Sequence, residues 1–209
     1  MQWARTSSVN ERRLTIEEVV AMDDLRMEKA EGFSWEYLGE VPQEKQEAGD
    51  RYLTPEFGLA AQLFASVARV VIDRLGTEQG EVFLKEAVNY FGEQRGARIA
   101  ERVKAEGKPL TFKNWLIHTD IDTARNFVNI PELDGGDLVV EVAGCTFYDA
   151  AEQWGLGDYA RIYCKYADHA ILRGYNPDIK LVLAPRQETG EGHCVFRYIM
   201  KEGNAVEAG

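Results

Sequence analysis

Soft metal ligands are scarce in this chain: it has three cysteines and three histidines among 209 residues, and no two cysteines form a C-x2-C pair. The odd number and wide spacing of the thiols speak against a disulfide framework, and a zinc site would have to draw its ligands singly from separate elements. Basic charge is also short, with 24 Lys and Arg against 35 Asp and Glu and a formal net charge of −11. A chain so acidic repels a phosphate backbone, and no basic stripe offsets it, so nucleic acid is a poor candidate for a direct partner. No apolar run approaches the roughly 18 residues of a membrane span. The start, Met1-Gln2-Trp3-Ala4-Arg5-Thr6, lacks the apolar core and cleavage pattern of a secretory signal. A cytoplasmic location with reduced thiols is expected. Internal repeats and low-complexity tracts are missing too. What the chain does have is 45% hydrophobic residues, enough for a real core.

Taken in order, residues 1–14 read as a loose tail, and 15–209 as one domain, helical over 15–107 and sheet-bearing over 110–201. Thr15-Ile16-Glu17-Glu18 has the spacing of a capping box and predicts a helix to about Lys29. From Phe33 to Arg51, aromatics and then the run Gln43-Glu44-Lys45-Gln46-Glu47 suggest an irregular arm. Thr54-Pro55-Glu56 is a helix start: a threonine cap, a proline whose missing N–H costs nothing in the first turn, and an acid at the positive end of the dipole. Phe57, Ala60, Leu63, Phe64, Val67, Val70, Val71 and Leu75 keep helical spacing as far as Gly76. A second helix from Thr77 to Gly107 would turn Val82, Phe83, Ala87, Val88, Phe91, Ile99 and Val103 inward. The two make a helical hairpin whose long exposed surface suits a homodimer.

Leu110 to Leu116 fits a strand or a short helix. Asp120, Asp122 and Asp137 lack the loop pattern of a calcium site and are expected as a solvated acidic surface. Phe127–Ile130 and Leu138–Val142 read as strands of a hairpin, separated by Pro131 and the turn Gly135-Gly136-Asp137. Helices follow from about Tyr148 to Trp154 and from Asp158 to about Arg173, stopped by Gly174 and Asn176-Pro177. Leu181–Leu183 and Cys194–Tyr198 are the last strands, joined through a polar turn from Glu188 to Gly192. Helices first, then strands with two helices inserted, imply an α+β fold with a largely antiparallel sheet.

Chemistry concentrates in the last third, which holds all three cysteines and two of the three histidines. Cys164 and Asp168 stand four residues apart on a predicted helix and share a face, whereas His169 projects away from it. A carboxylate beside a thiol raises the thiol pKa. His193 and Cys194 are neighbours on a predicted strand and face opposite sides; Phe196 shares the Cys194 side and makes it the inward one. Cys145, Cys164 and Cys194 are open to three readings: small core residues, ligands of a zinc ion, or reactive thiols in a ligand pocket. Trp115, Phe147, Tyr148, Trp154, Tyr159, Tyr163 and Tyr166 are the aromatics available to line such a pocket.

The stretch Cys145-Thr146-Phe147, Gly155-Leu156, Cys164-Lys165-Tyr166-Ala167-Asp168, Gly174-Tyr175-Asn176-Pro177 and Gly192-His193-Cys194-Val195-Phe196-Arg197-Tyr198 resembles the L-2-amino-thiazoline-4-carboxylic acid hydrolase family. The similarity lies in the order of parts: a cysteine after a strand, a C-x3-D helix, an Asn-Pro stop and a final strand opening G-x-C-x-F. It covers the C-terminal third best. The resemblance implies hydrolysis of a carbon–nitrogen bond in a small cyclic amidine or imine, with no required cofactor. A thiolate would attack the C=N carbon, and Asp168 or a histidine would protonate the departing nitrogen. Position by position, Cys145, Cys164, Asp168 and Cys194 match; His193 stands where the family commonly has another polar residue. Cys164 is the favoured nucleophile, with Tyr148, Tyr163 and Trp115 against the substrate. The terminal hairpin with its inward cysteine also looks like the small-molecule sensor domains related to vinyl-reductase proteins, which would make the chain a non-catalytic binding domain with a cysteine-bound zinc.

Overall fold

The structure is a computed structural model that describes residues 29–30, 35–49, 53–185 and 193–200. The tail, the capping box at Thr15 and the turn from Glu188 to Gly192 lie outside them. The chain falls into two units, Met1–Leu53 and Thr54–Gly209.

Within the first unit, helix α1 spans Trp35–Ala48 where an irregular arm was expected. The run from Gln43 to Glu47 consists of good helix formers, and Gln43 donates to Glu47 one turn on, at 3.1 Å. These local gains outweigh Gly39 and Pro42.

The second unit is α+β. Helices α2 (Glu56–Leu75) and α3 (Thr77–Ala105) meet at Gly76, whose φ of 79° only glycine adopts without strain. Thr54 makes no capping bond; Pro55 is the flanking residue, so the helix starts one step later than its sequence signal. After the short α4 (Phe112–His118), capped by Thr111, and α5 (Thr123–Asn126), the chain enters strands β1 (Phe127–Asp134) and β2 (Asp137–Cys145). Gly135 and Gly136, both at positive φ, form the two-residue turn. Pro131 does not end β1. It lies within that strand, and β1 is an edge, where a missing N–H is tolerated. Helices α6 (Thr146–Glu152) and α7 (Gly157–Tyr175) follow, then β3 (Lys180–Ala184) and β4 (Cys194–Ile199). The four strands are antiparallel in the order β1-β2-β4-β3, so β4 slots between the first hairpin and β3.

The helical layer packs through small residues. On α3 the buried positions are Gly80, Leu84, Val88, Gly92, Gly96, Ile99, Ala100 and Val103. Val88, Ile99 and Val103 face inward as expected, but Val82, Phe83 and Phe91 are 64%, 65% and 50% exposed. The reason is the spacing Gly92-x-x-x-Gly96, which lets α3 approach α7 backbone to backbone. A Cβ on Gly96 would lie 2.0 Å from the Ile171 carbonyl oxygen, and one on Gly174 2.2 Å from that of Glu93. The same happens on α2, where Gly58, Ala61, Gln62, Ala65 and Ala68 are buried and Leu63, Val67 and Val70 are outside. Dispersion across a close seam of small side chains replaces burial of the large ones. At its C-terminal end α7 is tied to the start of α4: Tyr175 Oη donates to the Thr111 carbonyl and Asn176 to that of Leu110.

Asp137 is not part of a solvated surface. It is 1% exposed, accepts from Arg197 at 3.0 Å and from the Met200 amide at 3.0 Å, and so fastens the start of β2 to the end of β4.

Candidate functional site

Alternation along the strands builds the inner face of the sheet. The pairs Leu138 with Tyr198, Val140 with Phe196, and Val142 with Cys194 stand side by side on β2 and β4, and Leu183 extends the row to β3. This face does not press flat onto α7. It closes over a cavity of about 260 Å³, bounded by those residues, by Tyr163, Cys164, Asp168 and Ile171 of α7, by Arg95 of α3 and by Trp115 of α4. Ring contacts pin its rim: Phe57 with Phe127 at 5.8 Å and Phe112 with Tyr198 at 4.6 Å. A second cavity, of about 330 Å³, lies on the other side of the thiols and is lined by Glu81, Tyr148, Arg161, Ile162 and Lys165. Cys145, Cys164, Cys194, Val142 and Pro185 border both. The three thiols therefore stand in the partition between the two spaces.

Cys145 ends β2 and flanks the first turn of α6. Burial pushes its thiol pKa up; the amides of Tyr148 and Phe147 pull it down, the charges of Asp149 and Cys194 oppose them, and the balance is upward. Cys164, on α7, is partly buried and borders both cavities. Burial, then the charges of Cys145, Asp168 and Cys194, drive its pKa well above the ordinary range. The shared face of Cys164 and Asp168 is thus real, and its electrostatic effect disfavours the thiolate.

Asp168 is the unusual group. It is deep in the protein, yet its residual surface faces the cavity, and among the described residues it has no cation in contact and no side-chain hydrogen-bond donor. Burial raises its pKa from 3.8 to about 6, against the pull of Arg95 and of its own amide. Its charge in turn raises the pKa of Tyr163 and Tyr198, after burial, which is the main cause for both; Tyr163 reaches about 12. Both phenols stay protonated and can donate.

Arg95 had no sequence signal. It lies inside the Gly92-x-x-x-Gly96 seam, and its guanidinium grips both oxygens of Asp120, at 2.9 and 2.5 Å, while Nη1 donates to Tyr163 Oη at 3.1 Å. Burial opposes its charge, but Asp120 and Tyr163 more than offset that, and its pKa rises. Asp120 lies at the surface as expected but is paired, with its side chain 22% exposed, and Asp122 accepts from the Arg125 amide at the start of α5.

Of the residues singled out from sequence, the fold brings Cys145, Cys164, Cys194, Asp168, Tyr163 and Trp115 to the main cavity. Tyr148 lines the second one instead, with Arg161 donating to its hydroxyl at 2.9 Å. His193 does not join either lining: it stands 3.5 Å from Glu141, a residue one step along β2 from both Val140 and Val142 and so on the outer face. Among the described residues no group of three or more His, Cys, Asp or Glu is arranged to hold a metal ion, so the zinc-closed cysteine cluster does not form there. No described helix is long and apolar enough to cross a membrane.

A small, mostly apolar cavity with a few convergent polar groups and an acid of shifted pKa is the usual form of a small-molecule enzyme site. The particular class follows from comparison with known families: the family model described as L-2-amino-thiazoline-4-carboxylic acid hydrolase matches residues 56–198. The chain belongs to that family, whose name implies a hydrolase. The match takes in the helical hairpin as well as the thiol-bearing third. No curated protein and no solved structure matches.

Proposed function

We propose that this protein opens a small cyclic amidine or imine by hydrolysis of a carbon–nitrogen bond, with Cys145 as nucleophile and Asp168 as proton carrier. The observation that supports it is Asp168 itself, an acid with a pKa of about 6, facing an apolar cavity that three thiols share. An amidine nitrogen is a natural partner for that carboxylate. Cys145 is chosen over Cys164 because two backbone amides favour its thiolate, whereas the charge of Asp168 opposes that of Cys164.

In this scheme Asp168 takes the thiol proton as Sγ bonds to the C=N carbon. The tetrahedral adduct then breaks its bond to the ring nitrogen, which leaves with that proton as an amine. Water next adds to the same carbon, gives up its protons to the solvent and Asp168, and expels the thiolate. The net change is addition of one water.

The test is turnover of L-2-amino-thiazoline-4-carboxylic acid, read by mass spectrometry as the gain of one water. Cys145→Ser and Asp168→Asn should each lower kcat by about 10²-fold or more. Cys164→Ser should remain within about tenfold, since no role in bond making falls to it here. Full activity in Cys145→Ser sinks the thiolate assignment, and loss confined to Cys164→Ser moves it to that residue. The largely apolar lining supports a second reading, a non-catalytic binding domain for a small ligand; ligand binding without turnover would favour it.

A further inference from the structure

Among the described residues that line the main cavity, Arg95 is the one cation and Asp168 the one acid. They do not pair with each other. The partner of Arg95 is Asp120, outside the lining, and Asp168 has no cation in contact. Two opposite charges held apart across one apolar space are a template for a ligand that carries both signs. Of the five N–H bonds of a guanidinium, those on Nε, one on Nη1 and one on Nη2 are used by Asp120 and Tyr163, which leaves one on each Nη. The arginine is also immobilised: its side chain is 13% exposed, its guanidinium lies 5.5 Å from the centre of the Phe91 ring, and its backbone sits in the tightest part of the α3–α7 seam. A held guanidinium loses little entropy on taking up an anion.

We propose that Arg95 is a specificity-determining residue that binds a carboxylate on the ring substrate, with Asp120 as its positioning residue. The inference rests on the ring-opening reading above and assigns the two charges of the carboxylate-bearing cyclic amidine that the family description names, the amidinium to Asp168 and the carboxylate to Arg95. The cavity volume, about 260 Å³, lies just below the roughly 300–1,000 Å³ typical of ligand pockets and suits a single ring. Asp120 keeps the guanidinium plane fixed and offsets part of its charge, so the carboxylate is recognised without being held irreversibly.

The experiment compares 2-amino-2-thiazoline with its 4-carboxylic acid on the full chain, by calorimetric binding and by turnover. Wild type should favour the acid by on the order of 10- to 100-fold, the range for a charge-assisted hydrogen bond. In Arg95→Gln that preference should fall to within about threefold, through weaker binding of the acid alone, and Arg95→Lys should restore part of it. Should Arg95→Gln prove unfolded by circular dichroism, the double variant Arg95→Gln with Asp120→Asn removes the orphaned carboxylate and carries the same expectation. Equal loss for both ligands, or no preference in the wild type, overturns the proposal. Preferential binding of the acid without any turnover upholds it while rejecting the hydrolytic reading.

Discussion

Helix α7 has two faces that could hardly differ more. Toward α3 it is closed to the backbone, with Gly92 and Gly96 against Ala170, Ile171 and Gly174 and no room for a single added carbon. Toward the sheet it is open, and Tyr163, Cys164 and Asp168 line the cavity there. The closed face gives a rigid reference; the open face can then carry a carboxylate at a raised pKa and thiols that border the cavity. Arg95 belongs to both, since its backbone is in the seam and its side chain in the cavity. A site built on the stiffest part of the molecule can be held to a few tenths of an ångström, as orientation of reacting groups requires.

The comparison is broken most severely from the closed side. Gly96→Ala puts a methyl group where the Ile171 carbonyl oxygen is, and the helices must part. Its unfolding free energy in urea should drop by about 3 kcal/mol, at or beyond the upper end for overpacked cores. A loss below 1 kcal/mol would mean the seam is looser than its geometry.

From the open side the expected effect has the opposite sign. Asp168 titrates at 3.8 when unperturbed and at about 6 here. Between those values the folded chain holds a proton that the unfolded chain has lost, so stability from this group is full below pH 4 and declines as pH rises to about 6. At pH 7 the deficit is about 3 kcal/mol. Asp168→Asn should therefore be more stable than wild type at neutral pH, level with it near pH 4, and inactive. Unfolding curves for the two proteins from pH 4 to pH 8 check this, and parallel pH dependences would refute it.

The smallest effect sharpens the contrast. Val142→Ile adds one methylene beside both cavities, where space exists, and should change stability by less than about 1 kcal/mol. Set against Gly96→Ala, a group of the same size should then have very different consequences on the two sides of the unit.

Much of this was legible in the residues. Gly135-Gly136 fixes the first hairpin because few other residues accept positive φ, and Asn176-Pro177 ends α7 because proline forbids continuation. The strand period placed Cys194 inward and His193 outward, and four-residue spacing put Cys164 and Asp168 on one face. The inward face of α3 was misread because hydrophobic size was given more weight than the close approach that Gly92 and Gly96 permit. That G-x-x-x-G spacing was the available signal.

What the sequence by itself determined is therefore local: where helices and strands begin and end, and which neighbours share a side, since those depend on dihedral preferences and on periods of 3.6 and 2. Only the tertiary structure decided which distant groups meet. Asp120 and Arg95 are 25 residues apart, and Asp168 is far from both in the chain. No period links them, and an arginine on a polar-looking helix looks the same in sequence whether it meets water or a carboxylate. The glycine seam drew α3 against α7, the sheet closed over what remained, and an acid that faces the cavity with no cation in contact among the described residues is a consequence of that packing.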